Sequence, residues 1–210
     1  MSTFSLNDGL YIHVTPRGIY YATQDNAEDT TRSILFKLLQ YDQTPSLSAT
    51  TLSEISSMES EDTLNLLHNM QKLKLISGHD EPESILEGTL ESLLTELLKN
   101  LSDSGKVLLA EKSGLYIGAS GVPHEAAEEL AAISASLSEV YLRHKGLLQG
   151  NLGFSQHAWG LIDAAGNSEV GFWPLYIGEN QFTLVIDGIP QLNNPAFKQL
   201  VWLLVKRYGQ

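Results

Sequence analysis

The sequence contains no cysteine, which excludes disulfides, thiolate metal ligands and a cysteine nucleophile. Positive charge is scarce: 13 Lys and Arg stand against 25 Asp and Glu, for a formal net charge of -12. The first 86 residues hold 5 basic against 12 acidic side chains and the remainder 8 against 13, so neither half is basic. Such a chain repels a polyanion on average, and nucleic acid is not an expected partner. No apolar run approaches the roughly 20 residues that span a bilayer, which argues against stable membrane insertion. The start, MSTFSLNDGL, lacks the basic flank and apolar stretch of a secretion signal. These absences point to a cytoplasmic protein.

Recognisable catalytic and ligand motifs are missing too. Gly105-Lys106 has neither the upstream glycine nor the following Ser/Thr of a phosphate-binding loop. Gly118-Ala119-Ser120-Gly121 fails as a nucleophile elbow because its second glycine comes one position early. His13, His68, His79, His124, His144 and His157 show no paired helical spacing of a zinc site, and His124 with Glu128 makes only two ligands. Asp163 and Asp187 sit before small residues, where turn chemistry explains them. Neither an enzyme nor a bound cofactor or metal is expected. What the chain does have is 42% hydrophobic residues, enough to bury a core rather than remain disordered.

The polar segment SGHDEPE, residues 77–83, separates two apolar-periodic regions. It divides the chain into a small domain (1–78), a linker (79–87) and a second domain (88–210). In the first, residues 10–14 and 19–22 read as strands, with Thr15-Pro16-Arg17-Gly18 predicted to turn a hairpin. Asp29 or Thr30 caps a helix carrying Ile34, Leu35, Leu38 and Leu39 on one face. Thr51 and Glu54 have capping-box spacing ahead of a short helix ending near Met58. Ser60-Glu61-Asp62 opens a third helix with the stripe Leu64, Leu67, Met70 and Leu73. The following LKLISG predicts a strand returning to the hairpin. Three helices with a small sheet resemble a winged-helix fold.

The second domain opens with a helix over residues 87–101, its Leu90, Leu93, Leu94, Leu97 and Leu98 inward. Strands over 106–110 and 115–119 flank the turn Lys112-Ser113-Gly114. A long helix spans 124–144, started by Pro123 and ended by Gly146 and Gly150. Three strands follow over 157–163, 169–177 and 181–187. Asn194 caps a last helix with Phe197, Leu200, Val201, Leu204 and Tyr208 on one face.

VLLAEKSGLYIGASG, a helix running EELAAISASL, and FTLVIDG resemble the Roadblock/dynein light-chain family of longin-like domains, over residues 88–208. The nearest functional analogue is the bacterial group of homodimeric regulators of small Ras-like GTPases. The resemblance implies an α+β fold of order α-ββ-α-βββ-α with a five-stranded antiparallel sheet. It implies dimerisation through the long helix and the third strand, and binding of a GTPase as scaffold or activator. Pro174 departs from the pattern, because it removes a ladder donor and predicts a bulge or a shortened strand. The N-terminal extension has no counterpart in simple family members.

On the long helix, Ala126, Leu130, Ile133, Leu137 and Tyr141 have the spacing to cover the sheet. Ala127, Ala131, Ser134, Ala135 and Ser138 form a second stripe of small side chains. Under the resemblance, these and Trp159 are the candidate dimer interface; the plainer reading is that alanine is a good helix former. Glu125, Glu128, Glu129 and Arg143 are candidate partner-binding residues, against the plainer reading of a solvated face. Only Arg17, Arg32, Arg143 and Arg207 could serve as an arginine finger, and Arg17, in a turn, suits that role best. Trp159, Phe172, Trp173, Tyr176 and Phe182 cluster in the last strands. Phe172 and Trp173, being neighbours, point to opposite faces, so one is a candidate for an exposed interface; the plainer reading is core on one face and contact with the N-terminal extension on the other.

The expected function is therefore a non-enzymatic regulatory or scaffold protein, a homodimer that binds a small Ras-like GTPase. The alternative is a winged-helix transcription regulator with a Roadblock dimerisation domain. Its reading helix offers only Lys72 and Lys74 against Glu61 and Asp62, too little to neutralise phosphates.

Overall fold

The computed structural model describes residues 9–209, so the secretion-signal reading of the first ten residues falls mostly outside them. The N-terminal part runs β1 (Tyr11–Val14), α1 (Pro16–Thr23), α2 (Thr30–Leu39), α3 (Ala49–Ile55), α4 (Ser60–Lys72) and β2 (Ile76–His79). The predicted returning strand is β2, which pairs antiparallel with β1, Tyr11 opposite His79 and Val14 opposite Ile76.

The predicted hairpin at Thr15–Gly18 is instead a helix start. Thr15 is the N-cap of α1, its hydroxyl accepting from the Gly18 amide at 3.0 Å, and Pro16 takes the first helical position. Gly18 is required by contact: a Cβ there would stand 2.0 Å from the Leu75 carbonyl oxygen. Asp29, not Thr30, caps α2 by accepting from the Arg32 amide at 2.8 Å. Ser48 caps α3 through the Thr51 amide at 3.1 Å, so Thr51 lies inside the helix it was expected to begin. Leu67 and Met70 of α4 are buried as expected, whereas Leu73 is exposed.

The C-terminal part runs α5 (Leu90–Lys99), β3 (Val107–Glu111), β4 (Tyr116–Ser120), α6 (His124–Lys145), β5 (Trp159–Ile162), β6 (Ser168–Ile177), β7 (Asn180–Asp187) and α7 (Pro195–Tyr208). The five strands form one antiparallel sheet in the order β4-β3-β7-β6-β5. The α+β order expected from sequence is therefore present. Gly146 and Gly150 do not end the long helix in a loop; a π-helical turn, Gly146–Asn151, continues it.

Pro174 leaves β6 intact and opposite Thr183, with no register shift between β6 and β7. The reason lies in the ladder. Lys112 donates to the Gln181 carbonyl, and Asp187 donates to the Lys106 carbonyl, which turns the odd-numbered residues of β7 toward β3. The even-numbered residues of β7 then bond to β6, and Pro174 sits at a non-bonded pair. Its missing N–H faces the other side, where β5 has already ended at Trp159. The proline occupies a stretch of β6 that is in effect an edge.

Helices cover both sheet faces. On one, α6 packs with Leu108, Ala110, Phe172 and Val185. On the other, α5 and α7 share a continuous core with the N-terminal part, running from Ile12 and Ile19 through Leu98 and Phe182 to Val205. Every residue of α7 from Phe197 to Val205 is buried, including Lys198 and Gln199. An all-round buried helix needs cover on all sides. The sheet provides one side; α5, α1 and α2 provide the others. The segment 79–87 is stitched down at several points. Thr44 donates to the Glu83 carbonyl at 2.8 Å, and Ile85 donates to that of Asp42 at 3.0 Å. The Leu86 amide reaches the Gln199 side chain, and the Glu83 carboxylate pairs with Lys198.

Candidate functional site

The phase of α6 decides which residues a partner could touch. Ala127, Ala131 and Ser134 are 1%, 0% and 2% exposed and lie against the chain's own sheet. The small-residue stripe assigned to a dimer contact therefore faces inward over much of its length. Ala135 and Ser138 are half-buried beside it; Ser138 accepts from Gln181 Nε2 at 3.0 Å. Small side chains let the helix settle close to the sheet: the ideal Cβ position at Gly114 in the β3–β4 turn lies 3.4 Å from the Ala135 Cβ. Tyr141 is buried, and Leu130 and Leu137 are half-buried flanks of the same contact.

Rotated outward instead is the line Glu129, Ile133, Ser136, Val140 and Leu147, of which the apolar members Ile133, Val140 and Leu147 are all exposed. The inward reading of Ile133 is thereby corrected. The acidic candidates Glu125, Glu128 and Glu129, and Arg143, are exposed on α6. His124 orders the start of this face: its Nδ1 is 2.7 Å from the Tyr116 hydroxyl and its Nε2 is 3.5 Å from Glu128.

The edge strand β5 carries the most exposed apolar pair on this side of the molecule. Leu161 is 62% and Ile162 68% exposed. Trp159, opposite Phe172, is half-buried in the α6-side cluster; Leu161, two residues on and opposite Val170, shares that side. Since α6 packs over β3, β4 and β7, the outer part of this face around Leu161 is left bare. Leu152 and Phe154, in the connection from the π-helical turn, add two more exposed apolar side chains. An edge strand with apolar side chains on both faces invites pairing with another chain. Sequence reasoning missed Leu161 and Ile162, although their adjacency breaks strand alternation and was readable as such.

Phe172 and Trp173 do point to opposite faces, and neither is exposed. Phe172 joins the α6-side cluster; Trp173 packs on the shared core and over Gly171, where a Cβ would stand 2.1 Å from its ring.

Beneath the face, His157 is 5% exposed. Its ring lies 4.4 Å from that of Tyr141 and 6.1 Å from that of Tyr176. Its Nε2 meets Gln149 Nε2 at 2.7 Å, so the neutral ring accepts there. Burial pushes the Tyr141 hydroxyl up to about 12 and lowers the His157 pKa. These residues hold the connection that delivers β5 to the sheet edge. No group of three or more metal-ligating side chains occurs among the described residues, and no helix of theirs is long and apolar enough to cross a membrane.

No family model matches the chain, nor does any curated protein. Two solved structures are similar over 57% of it. One is a Roadblock/LC7 domain from Streptomyces avermitilis, at 12% identity and a TM-score of 0.39, covering 96% of that chain. The other is Myxococcus xanthus MglB, at 17% identity and a TM-score of 0.39, covering 94% of that chain. The elements from α5 to α7 follow the α-ββ-α-βββ-α order with one five-stranded antiparallel sheet, strand order β4-β3-β7-β6-β5.

Proposed function

We propose that this chain is a non-enzymatic scaffold that dimerises through β5 and the outer line of α6, the dimer binding a small Ras-like GTPase. The observation that carries the dimer is the uncovered edge strand with Leu161 and Ile162 in solvent. A two-fold axis beside β5 would pair the two edges antiparallel and bring Ile133 and Val140 of one α6 onto the bare outer face of the other copy. Burying a side chain of this size contributes about 1.5–3 kcal/mol, and an isologous contact counts each twice. These side chains are already partly covered, from Val140 at 39% to Ile162 at 68% exposed, so each contributes only part of that, and the total is of the same order as an association cost of about 4–15 kcal/mol.

The GTPase reading follows from the Roadblock-like fold and from the exposed acids Glu125, Glu128 and Glu129, which would steer a partner with a basic surface. In this reading the chain supplies no arginine to the nucleotide. Arg17 lies in the first turn of α1 and not on the α6 face.

The test is solution mass, by light scattering, of the chain alone and with small GTPases loaded with GDP or a GTP analogue. Wild type should be a dimer that takes up GTPase in the GTP-like state, and Leu161→Lys should be a folded monomer. A wild-type monomer would overturn the dimer. A dimer indifferent to every GTPase would overturn the partner.

A further inference from the structure

A groove of about 490 Å³ lies where the N-terminal part meets the loop before α7; its Tyr20 hydroxyl donates to Gln156 Oε1, in the connection to β5, at 3.2 Å. Pro16, Tyr20 and Leu192 form its apolar wall, and Arg17 and Lys74 supply two cations; among the described residues no carboxylate lines it. Of the 13 Lys and Arg, Lys106, Lys198, Lys206 and Arg207 have a carboxylate partner among the described residues and the other nine do not. Arg17 and Lys74 have none among the described residues, in a chain whose net charge is -12. Two unneutralised cations beside an apolar wall are complementary to a ligand that is both acidic and apolar.

Lys74 is held there against its backbone preference. It is the one non-glycine residue with positive φ, 58°, among the described residues. Its amide donates to the Gln71 carbonyl at 2.9 Å, and its own carbonyl accepts from the Thr15 hydroxyl at 2.7 Å. Glycine would adopt this conformation without strain.

We propose that this groove docks a linear acidic segment of a partner protein. Its carboxylates would meet Arg17 and Lys74, and one large apolar side chain would sit between Pro16, Tyr20 and Leu192. Arg17 and Lys74 are not among the residues of the proposed dimer face, so the groove gives the scaffold a second, chemically different attachment.

The test is a displayed library of random peptides of about 12 residues, selected on the full chain and counter-selected on the Arg17→Gln/Lys74→Gly double variant. Selected peptides should carry at least two Asp or Glu near a Leu, Phe or Trp. By fluorescence anisotropy, either single substitution should weaken their binding about fivefold, and added salt should weaken it further. Lys74→Gly should melt at or above the wild-type temperature, which separates lost binding from lost folding. Failure to enrich peptides over the double variant, or enrichment of neutral or basic ones, would overturn the proposal. GTPase uptake by the same two variants should be unchanged, so failure here leaves the dimer and GTPase reading to its own experiment.

Discussion

At the residue scale, His157 is where buried chemistry makes stability depend on pH. Burial is the main cause of its lowered pKa; Asp25 opposes the shift, while Lys145 and Arg32 add to it. The folded chain therefore resists a proton that the unfolded chain accepts below the ordinary value of 6.5. The stabilisation is complete above that pH and is lost as pH falls through the lower, folded-state value. The melting temperature should decline from about pH 7 to about pH 5, and His157→Gln should flatten that decline. An equally steep decline in the variant would move the assignment to another group. His13 is the first to consider, its pKa also lowered chiefly by burial.

Elements decide whether local rules hold, and β6 shows how. Proline in a strand predicts a broken ladder, yet Pro174 lies within ten continuous strand residues because its donor side faces past the end of β5. Pro174→Val should therefore gain no ladder bond and should cost about 0.5–1 kcal/mol through the freer unfolded chain. A urea midpoint shifted upward would mean that the proline had been displacing a real bond. For α6, sequence periodicity located the helix within one residue and placed Leu130, Leu137 and Tyr141 toward the sheet, but wrongly turned Ile133 inward. Both stripes have helical spacing, and side-chain size favoured the larger one for the core. The sheet also receives Ala127, Ala131 and Ser134, because close approach past the β3–β4 turn selects small residues. The most exposed pair, Leu161 and Ile162, was passed over because edge position is a property of the sheet and not of the strand.

The whole molecule is tied together by α7. Its Phe197–Val205 stretch is covered by both parts, Trp202 donates to the Tyr41 carbonyl at 2.9 Å, and Lys198 pairs with Glu83 from the connecting segment. Removing the N-terminal part would bare the far side of a helix buried all round from Phe197 to Val205, so the two parts should unfold together. A single urea transition is expected by both tryptophan fluorescence and circular dichroism. Glu83→Ala leaves Lys198 buried without its carboxylate and should lower that transition by about 2 kcal/mol without splitting it. Two separated transitions would show that the shared core is weaker than its burial implies.

The sequence by itself determined the order and nature of nearly every element from α5 to α7, because apolar periodicity, Asn194 as a cap and glycine turns are local signals. It also determined the acidic character and the absence of cysteine chemistry. The tertiary structure alone decided the rest. The helix at Pro16 has local signals in Thr15 and Pro16, but its seat was set by packing: Gly18 lies against the Leu75 backbone, a contact across 57 residues of chain. The phase of α6, the bareness of β5 and the groove joining Arg17 to Lys74 were likewise set by what each segment packs against. Spacing along the chain records which residues share a face; only the neighbour brought up by folding decides whether that face is core or surface.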